Sequence, residues 1–242
     1  VNEQVEINCL SYSIFGDLYI GSQNDTVSLI LPGYTSTKKD QRDFANAMVN
    51  MTGYSALVIE YSGHGESQFE LKNTSPAQHI LEVVSSYDWL VNKFPDCRIN
   101  VIGTSYGGFL GSHLSLYRNI NQLVLRAPAI YQPQELYTTW AYRLSNDVAY
   151  ATKIKEYRQN SIKLANHPLL ARENHTAKEV LVVVHENDEI VPTQTTDSYI
   201  KAFNADSYLA KNFSHSTTYS PVSDQQLSSY REYIANWLIK NN

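Results

Sequence analysis

Gly103-Thr104-Ser105-Tyr106-Gly107 decides how the rest of this chain is read. The stretch is a G-x-S-x-G pattern, and its flanks suit it. Arg98-Ile99-Asn100-Val101-Ile102 precedes it and reads as a buried strand. Gly108-Phe109-Leu110-Gly111-Ser112-His113-Leu114-Ser115-Leu116-Tyr117 follows it and reads as a helix. A serine on a tight turn from strand to helix has its hydroxyl thrust out at the top of a sheet. Such a turn is crowded, so small residues must stand two before and two after the serine. The helix N-terminus behind it favours negative charge building up on a substrate. These features point to a nucleophile at Ser105. The alternative is a glycine-rich turn whose serine merely caps the helix.

A serine hydroxyl is a weak nucleophile at neutral pH. It needs a base to take its proton, and the base needs a carboxylate that fixes its tautomer and stabilises its charged form. Both are expected after Ser105, each just past a strand end. Val184-His185-Glu186-Asn187-Asp188-Glu189-Ile190-Val191-Pro192 follows the clearest strand, with Asp188 in its loop and Glu186 and Glu189 as close rivals. Asn212-Phe213-Ser214-His215-Ser216 follows the last strand. The candidate catalytic set is therefore Ser105, Asp188 and His215, in that order along the chain.

Of the seven histidines, His215 alone fits both order and place. His113 lies in the helix behind the serine and is expected to be packed. His79 and His167 precede no suitable strand end, and His175 lies in a long insert. His185 stands at a strand end three residues before Asp188, and His64 comes before Ser105. A developing oxyanion also needs two backbone N–H donors. Tyr106, next after the serine, should give one. Tyr34, in the loop Leu31-Pro32-Gly33-Tyr34-Thr35-Ser36, is the choice for the other, with Gly33 letting the backbone turn close to the substrate.

Around these residues strand and helix alternate, which implies a mostly parallel sheet covered on both faces. Val5 to Ile20 reads as two strands around Phe15-Gly16-Asp17. Ser28 to Leu31, Ala56 to Glu60, Leu123 to Leu125, Glu179 to Val184 and Ser207 to Phe213 read as further strands. Helices are expected over about Lys39 to Met51, from Ser75-Pro76 onward, and over Pro192 to Phe203. A closing amphipathic helix is expected behind a cap at Asp224. A long insert runs from Ile130 to Lys178. In it Tyr137, Trp140, Leu144 and Val148 recur at helical spacing, with Ile154 and Tyr157 beyond, and Arg143, Asn146 and Asp147 break the stripe. A helical lid with an aromatic inner face would roof an apolar pocket. The same side chains would also serve to dock the insert on the body. Tyr137, Trp140 and Leu144 are the candidate substrate-binding residues.

The length of 242 residues suits one α/β domain. With 43% hydrophobic and 18% charged residues, the chain can build a substantial core and is not expected to be disordered. The net charge of −5, without a basic stripe, argues against nucleic acid as a partner. No apolar run approaches the length of a membrane span. The chain opens at Val1 without a charged-then-apolar leader, so any leader is expected to have been removed or never present. Cys9 and Cys97 read as two buried free thiols, with a single disulfide as the alternative. N-x-S/T sequons begin at Asn24, Asn50, Asn73, Asn174 and Asn212, and a glycan at Asn212 would obstruct His215. A reducing cytoplasm is therefore the expected compartment.

Taken together, these residues resemble the α/β-hydrolase superfamily, in particular its small serine esterase, thioesterase and monoacylglycerol-lipase-like members. The resemblance covers most of the chain. It rests on the Leu31-Pro32-Gly33-Tyr34 loop, on Glu60-Tyr61-Ser62-Gly63-His64-Gly65-Glu66-Ser67, on the Ser105 turn and on Asp188-Glu189-Ile190-Val191-Pro192. The second stretch is similar to the family's Asp-x-Arg-Gly-x-Gly-x-Ser loop, with Glu60 for the usual aspartate and Ser62 for the usual arginine. Pro32 stands where many members have histidine, and Val184-His185 where His-Gly is common.

The resemblance implies an α/β-hydrolase fold: a mostly parallel eight-stranded sheet flanked by helices, with a helical lid inserted after the sixth strand. Residues 1–129 and 179–242 would form the core and 130–178 the lid. It implies a serine hydrolase of carboxylic esters or thioesters of small to medium acyl groups, through an acyl-enzyme on Ser105, with no metal or organic cofactor. A serine aminopeptidase or amidase is the alternative among enzymes, with Glu135 and Asp147 as candidate holders of a substrate ammonium. A non-catalytic binding protein is the alternative outside them.

Overall fold

The computed structural model describes residues 2–145, 147–170, 173, 175–216 and 222–242, and every side chain among them except those of Asn2, Leu144 and Asp147. Eight strands form one sheet: β1 (Asn2–Cys9), β2 (Tyr12–Tyr19), β3 (Thr26–Leu31), β4 (Ser55–Glu60), β5 (Arg98–Thr104), β6 (Gln122–Arg126), β7 (Glu179–Asn187) and β8 (Asp206–Ser214). Their order across the sheet is β1-β2-β4-β3-β5-β6-β7-β8. The pairs β1–β2 and β2–β4 are antiparallel, and the other five pairs are parallel.

Strands buried on both faces need apolar residues at odd and even positions alike, and each set must find its own layer. Leu29, Leu31, Val101, Leu123, Leu125, Val180 and Val182 point to one face. There they meet α2 (Pro76–Lys93), α3 (Tyr106–Leu114) and α7 (Thr193–Phe203). Ile30, Ile102, Val124, Leu181 and Val183 point to the other, against α1 (Arg42–Thr52) and α8 (Asp224–Lys240). The order of strands reverses between β3 and β5, because β3 connects onward to β4 on one side while β5 lies on the other. A crevice opens at the carboxyl ends of strands flanking such a switch point. The Leu31–Ser36 loop and the Ser105 turn both begin there, with Leu31 in register with Gly103.

Several local expectations are corrected. The first hairpin turns at Leu10–Ser11, with Leu10 at φ 53, not at Phe15-Gly16-Asp17. Gly16 lies inside β2 because a Cβ there would stand 2.9 Å from the Val58 carbonyl oxygen on β4. α1 starts only at Arg42, since Asp40 Oδ2 draws the Thr37 N–H (2.7 Å) and hydroxyl (3.0 Å) into a turn. α3 (Tyr106–Leu114) begins two residues and ends three residues earlier than its pattern suggested. α8 is capped by Ser223, not Asp224. Ser223 Oγ accepts from the Gln226 N–H (3.2 Å) while Gln226 Oε1 accepts from the Ser223 N–H (3.0 Å). This reciprocal box contributes about 1 kcal/mol. Cys9 and Cys97 are both free, and Cys97 is half-buried rather than buried.

Between β6 and β7 the insert folds as a 3-10 turn (Pro133–Tyr137), α4 (Trp140–Ser145), α5 (Asp147–Gln159), α6 (Ser161–Ala165) and a second 3-10 turn (Pro168–Leu170). Its expected inner stripe is only partly there. The first turn ends at Tyr137 and α4 begins at Trp140, so the spacing spans two elements rather than one helix. Tyr137 and Val148 are 81% and 82% exposed, whereas Trp140, Ile154 and Tyr157 are buried. Arg143, read as a break in the stripe, is 3% exposed. Its guanidinium lies 3.9 Å from the Trp140 ring centroid and 4.9 Å from that of Tyr131, a stacking that suits a weakly hydrated planar cation. The side chains of Leu144 and Asp147, and residues Asn146 and Asn174, lie outside the described residues. Among the described residues no helix is long and apolar enough to cross a membrane.

Candidate active site

Ser105 sits at φ 52 and ψ −111, a backbone conformation that is costly for any residue with a Cβ. It is fixed from both sides: the Ser105 N–H donates to Arg126 O (2.8 Å), and Ser105 O accepts from the Phe109 N–H (3.1 Å) and the Ala129 N–H (3.0 Å). The hydroxyl makes no cap bond to α3, so the simple capping alternative fails. Instead Ser105 Oγ lies 2.9 Å from His215 Nε2, and His215 Nδ1 lies 2.7 Å from Asp188 Oδ2. A carboxylate cannot donate, so the ring proton sits on Nδ1 and Nε2 accepts from the serine.

Asp188 is almost fully buried. Burial alone would raise its carboxyl pKa, but the His215 ring and the Val191 and Ile190 N–H groups outweigh that and hold it below the ordinary value. Oδ1 accepts from both amides, at 2.7 and 2.9 Å. The two rival acids have other work. Glu189 Oε2 accepts from the His215 N–H (3.3 Å), and Glu186 Oε2 accepts from the Asn212 N–H (2.8 Å) where that residue turns at φ 65. Both carboxylates thus shape the loop that carries the imidazole, a role their sequence position did not announce.

Two further supports were also hidden in the sequence. Arg126 Nε–H donates to the Tyr230 hydroxyl (2.8 Å), that hydroxyl donates to His185 Nε2 (3.2 Å), and His185 Nδ1–H donates to Ser214 O (2.9 Å). This chain ties α8 and β6 to the residue before His215. On the other flank, Tyr106 donates to His79 Nδ1 (2.8 Å), and His79 Nε2–H donates to Ser62 O (3.0 Å). The Glu60–Ser67 loop also props the Leu31–Ser36 loop. Tyr61 donates to Pro32 O (3.0 Å), and His64 Nε2 accepts from the Thr35 N–H (3.0 Å).

The glycine that lets the two loops approach each other is Gly107. A Cβ at 107 would stand 2.1 Å from Leu31 O and 2.5 Å from Pro32 O, both backbone atoms. A Cβ at 33 would meet only Thr104 O at 3.6 Å and Ser105 Cβ at 3.8 Å. Gly107→Ala is therefore expected to destabilise the fold by about 3 kcal/mol or more, while Gly33→Ala stays within about 1 kcal/mol of the parent. Urea melts of the two variants check this.

The six histidines outside the Ser105–His215 pair all have depressed pKa values, in each case chiefly by burial: His64, His79, His113, His167, His175 and His185. His79 and His113 fall to about 3 and His185 to about 4. A depressed folded pKa means stability that is present above the unfolded value of 6.5 and lost as pH falls toward the folded one. Between the unfolded and the folded value each such ring removes up to about 1.4 kcal/mol per pH unit. The urea midpoint should therefore drop between pH 7 and pH 5, before the carboxylates titrate. A midpoint that holds steady over that range would contradict the neutral, buried rings.

An open sheet with a strained serine at its switch point, facing a carboxylate and an imidazole from the loops after β7 and β8, defines the α/β-hydrolase superfamily. Within it, the chain belongs to the family described as serine aminopeptidase, S33, whose model matches residues 22–223. Solved structures share the fold. The esterase Pf2001 of Pyrococcus furiosus superposes with a TM-score of 0.72 at 20% identity, covering 99% of this chain and 92% of that one. An alpha-beta serine hydrolase homologue from Coxiella burnetii gives 0.70 at 15% identity over 98% of both chains. Est1E from Butyrivibrio proteoclasticus, solved with ferulic acid bound, gives 0.72 at 14% identity over 98% of both.

Proposed function

We propose that this hydrolase cleaves carboxylic esters or thioesters of small to medium acyl groups through an acyl-enzyme on Ser105. The observation that carries the reading is the unbroken line of hydrogen bonds from Ser105 Oγ through His215 to Asp188, at 2.9 and 2.7 Å. His215 Nε2 takes the hydroxyl proton as Ser105 Oγ attacks the acyl carbon. The imidazolium so formed is held by Asp188. It then gives its proton to the leaving alcohol or thiol, and a water activated by the same ring releases the acid.

The amides of Tyr106 and Tyr34 are the proposed holders of the oxyanion. Tyr106 follows Ser105 directly at the start of α3. The Tyr34 and Tyr106 rings meet edge-on with centroids 6.3 Å apart, which supports placing the second donor beside the first. Residues 130–178 are the proposed lid over a core of 1–129 and 179–242. Trp140 is its proposed substrate-facing residue, supported by its stacking on Tyr34 with ring centroids 4.3 Å apart. The solvent exposure of Tyr137 gives it no such support. The two free thiols are consistent with the proposed cytoplasmic compartment.

The family description favours a second reading, an aminopeptidase or amidase. Such an enzyme would need a carboxylate to hold the substrate ammonium. Glu135 is buried, and its Oε2 accepts from the Gln132 N–H (2.8 Å), so it is engaged in closing its own turn. The other candidate carboxylate, Asp147, has its side chain outside the described residues, so ester cleavage leads on the engagement of Glu135. Incubation with a fluorophosphonate probe should give one adduct, on Ser105, and p-nitrophenyl acyl esters should turn over faster than aminoacyl anilides. Absence of the adduct in folded protein would favour the binding role. Preference for the anilides would favour the peptidase.

A further inference from the structure

A half-open cavity of about 440 Å³ lies between the insert and α3, away from the serine. Its core side is Phe109, His113 and Leu116, and its insert side includes Tyr131, Leu136 and Leu169. None of Ser105, Asp188, His215, Tyr34 or Trp140 lines it. His113 stands eight residues beyond Ser105, about 12 Å further along the helix direction at 1.5 Å per residue.

His113 is the exception among the histidines. The other six each have both ring nitrogens hydrogen-bonded within the described residues. Its own neighbours show the contrast. His167 Nε2–H donates to Tyr131 O (2.8 Å) while Nδ1 accepts from the Leu169 N–H (3.0 Å). His175 Nδ1 accepts from the Ser115 hydroxyl and Nε2–H donates to Leu169 O. His113 is only 6% exposed, and neither of its nitrogens has a partner among the described residues. Leucine would fill this place on α3 without the cost of desolvating a polar ring. A buried polar ring that lines a cavity and hydrogen-bonds to none of the described residues is a group placed for a ligand.

We propose that this cavity binds a small neutral aromatic molecule bearing one hydroxyl, a phenol, with that hydroxyl on His113. The lining selects this class. Among the described residues no lysine, arginine or carboxylate lines the cavity, so a charged ligand would find no counter-charge among them. Phe109 and Tyr131 lie edge-to-face with centroids 5.0 Å apart, and a third ring can join them in the same manner. Burial holds the His113 pKa at about 3, so the imidazole is neutral, with one N–H and one lone pair. A phenol can donate to the lone pair or accept from the N–H. Bound there, it bridges the core helix that carries Ser105 at its start to the insert, without occupying the reacting groups. This inference does not depend on the ester-cleaving reading.

The test compares 4-ethylphenol with ethylbenzene, which has the same body and no hydroxyl. Calorimetry on the whole protein should show the phenol binding about tenfold tighter or more, the factor expected when a buried polar group gains a partner. In protein labelled with 15N-histidine, the phenol should shift the His113 ring signals and leave those of His215 in place. His113→Leu should bind both molecules equally, keeping the ethylbenzene affinity and losing the phenol's advantage. Equal binding by the parent protein overturns the proposal. So does a phenol that shifts His215 and not His113, which would put the ligand at the serine. If His113→Leu fails to fold, the ring signals of the parent protein decide by themselves.

Discussion

Ser105→Ala will lower kcat for an acyl ester by about 10⁴-fold or more while the protein melts close to the parent temperature. The size of the loss follows from the chemistry. Alanine has no oxygen to attack the acyl carbon, so no acyl-enzyme forms. What remains is the help that bound amides give to direct attack by water. The small effect on stability follows from the backbone. Alanine keeps the Cβ, so the turn at φ 52 is neither relieved nor worsened, and the anchoring bonds to Arg126, Phe109 and Ala129 are all main-chain. Among the described residues the side-chain bond lost is the one to His215, which is partly open to solvent. Steady-state kinetics and a thermal melt on the same preparation separate the two effects. A variant that kept the parent rate would move the chemistry off this serine.

Both the fold and the candidate site were legible to the extent that they follow from local sequence. The Ser105 turn announces itself because a strained strand-to-helix corner tolerates only small residues at 103 and 107. A Cβ at Gly103 would stand 2.3 Å from Gly107 O, so the pattern records a real steric demand. Asp188 and His215 could be placed because the sheet brings every strand end to one rim. What the sequence hid is whatever depends on distant partners. Gly16 looks like a turn glycine until β4 is seen pressing on it. Arg143 looks like an interruption until Trp140 and Tyr131 are seen on its faces. Tyr137 fits a helical stripe by spacing, but the chain changes from a 3-10 turn to a helix just after it, which turns the ring outward. Glu186 and Glu189 read as spare acids because their donors, the N–H groups of Asn212 and His215, lie 26 residues away in sequence.

Asp188→Asn will reduce kcat by about 10³–10⁴-fold with little change in fold, and the reason is the tautomer of His215. The aspartate Oδ1 accepts from the Ile190 and Val191 N–H groups and lies 3.0 Å from His215 Nδ1, while Oδ2 is the nearer oxygen to that nitrogen at 2.7 Å. In the asparagine variant only one atom can accept, and the two amides will hold it. The NH₂ group is left pointing at Nδ1. That NH₂ is then the nearest group to Nδ1, and because two donors repel, the ring is expected to carry its proton on Nε2 instead. That places an N–H against Ser105 Oγ, where the reaction needs a lone pair.

Asp188→Ala will behave differently. It leaves the Ile190 and Val191 amides without their acceptor, so it should lose stability by about 1–3 kcal/mol as well as activity. The pH dependence has a definite sign. The lowered folded pKa of Asp188 contributes stability that is present above its unfolded value near 3.8 and lost as the pH falls through the folded one. The gap in stability between the parent and Asp188→Ala should therefore hold from pH 7 to pH 5 and close only below about pH 4. Histidine ring 15N shifts read the tautomer directly: the parent should show the proton on Nδ1 of His215, and Asp188→Asn should show it on Nε2. An unchanged Nδ1–H tautomer in an inactive asparagine variant would mean that the carboxylate acts through its charge rather than through the orientation of the ring.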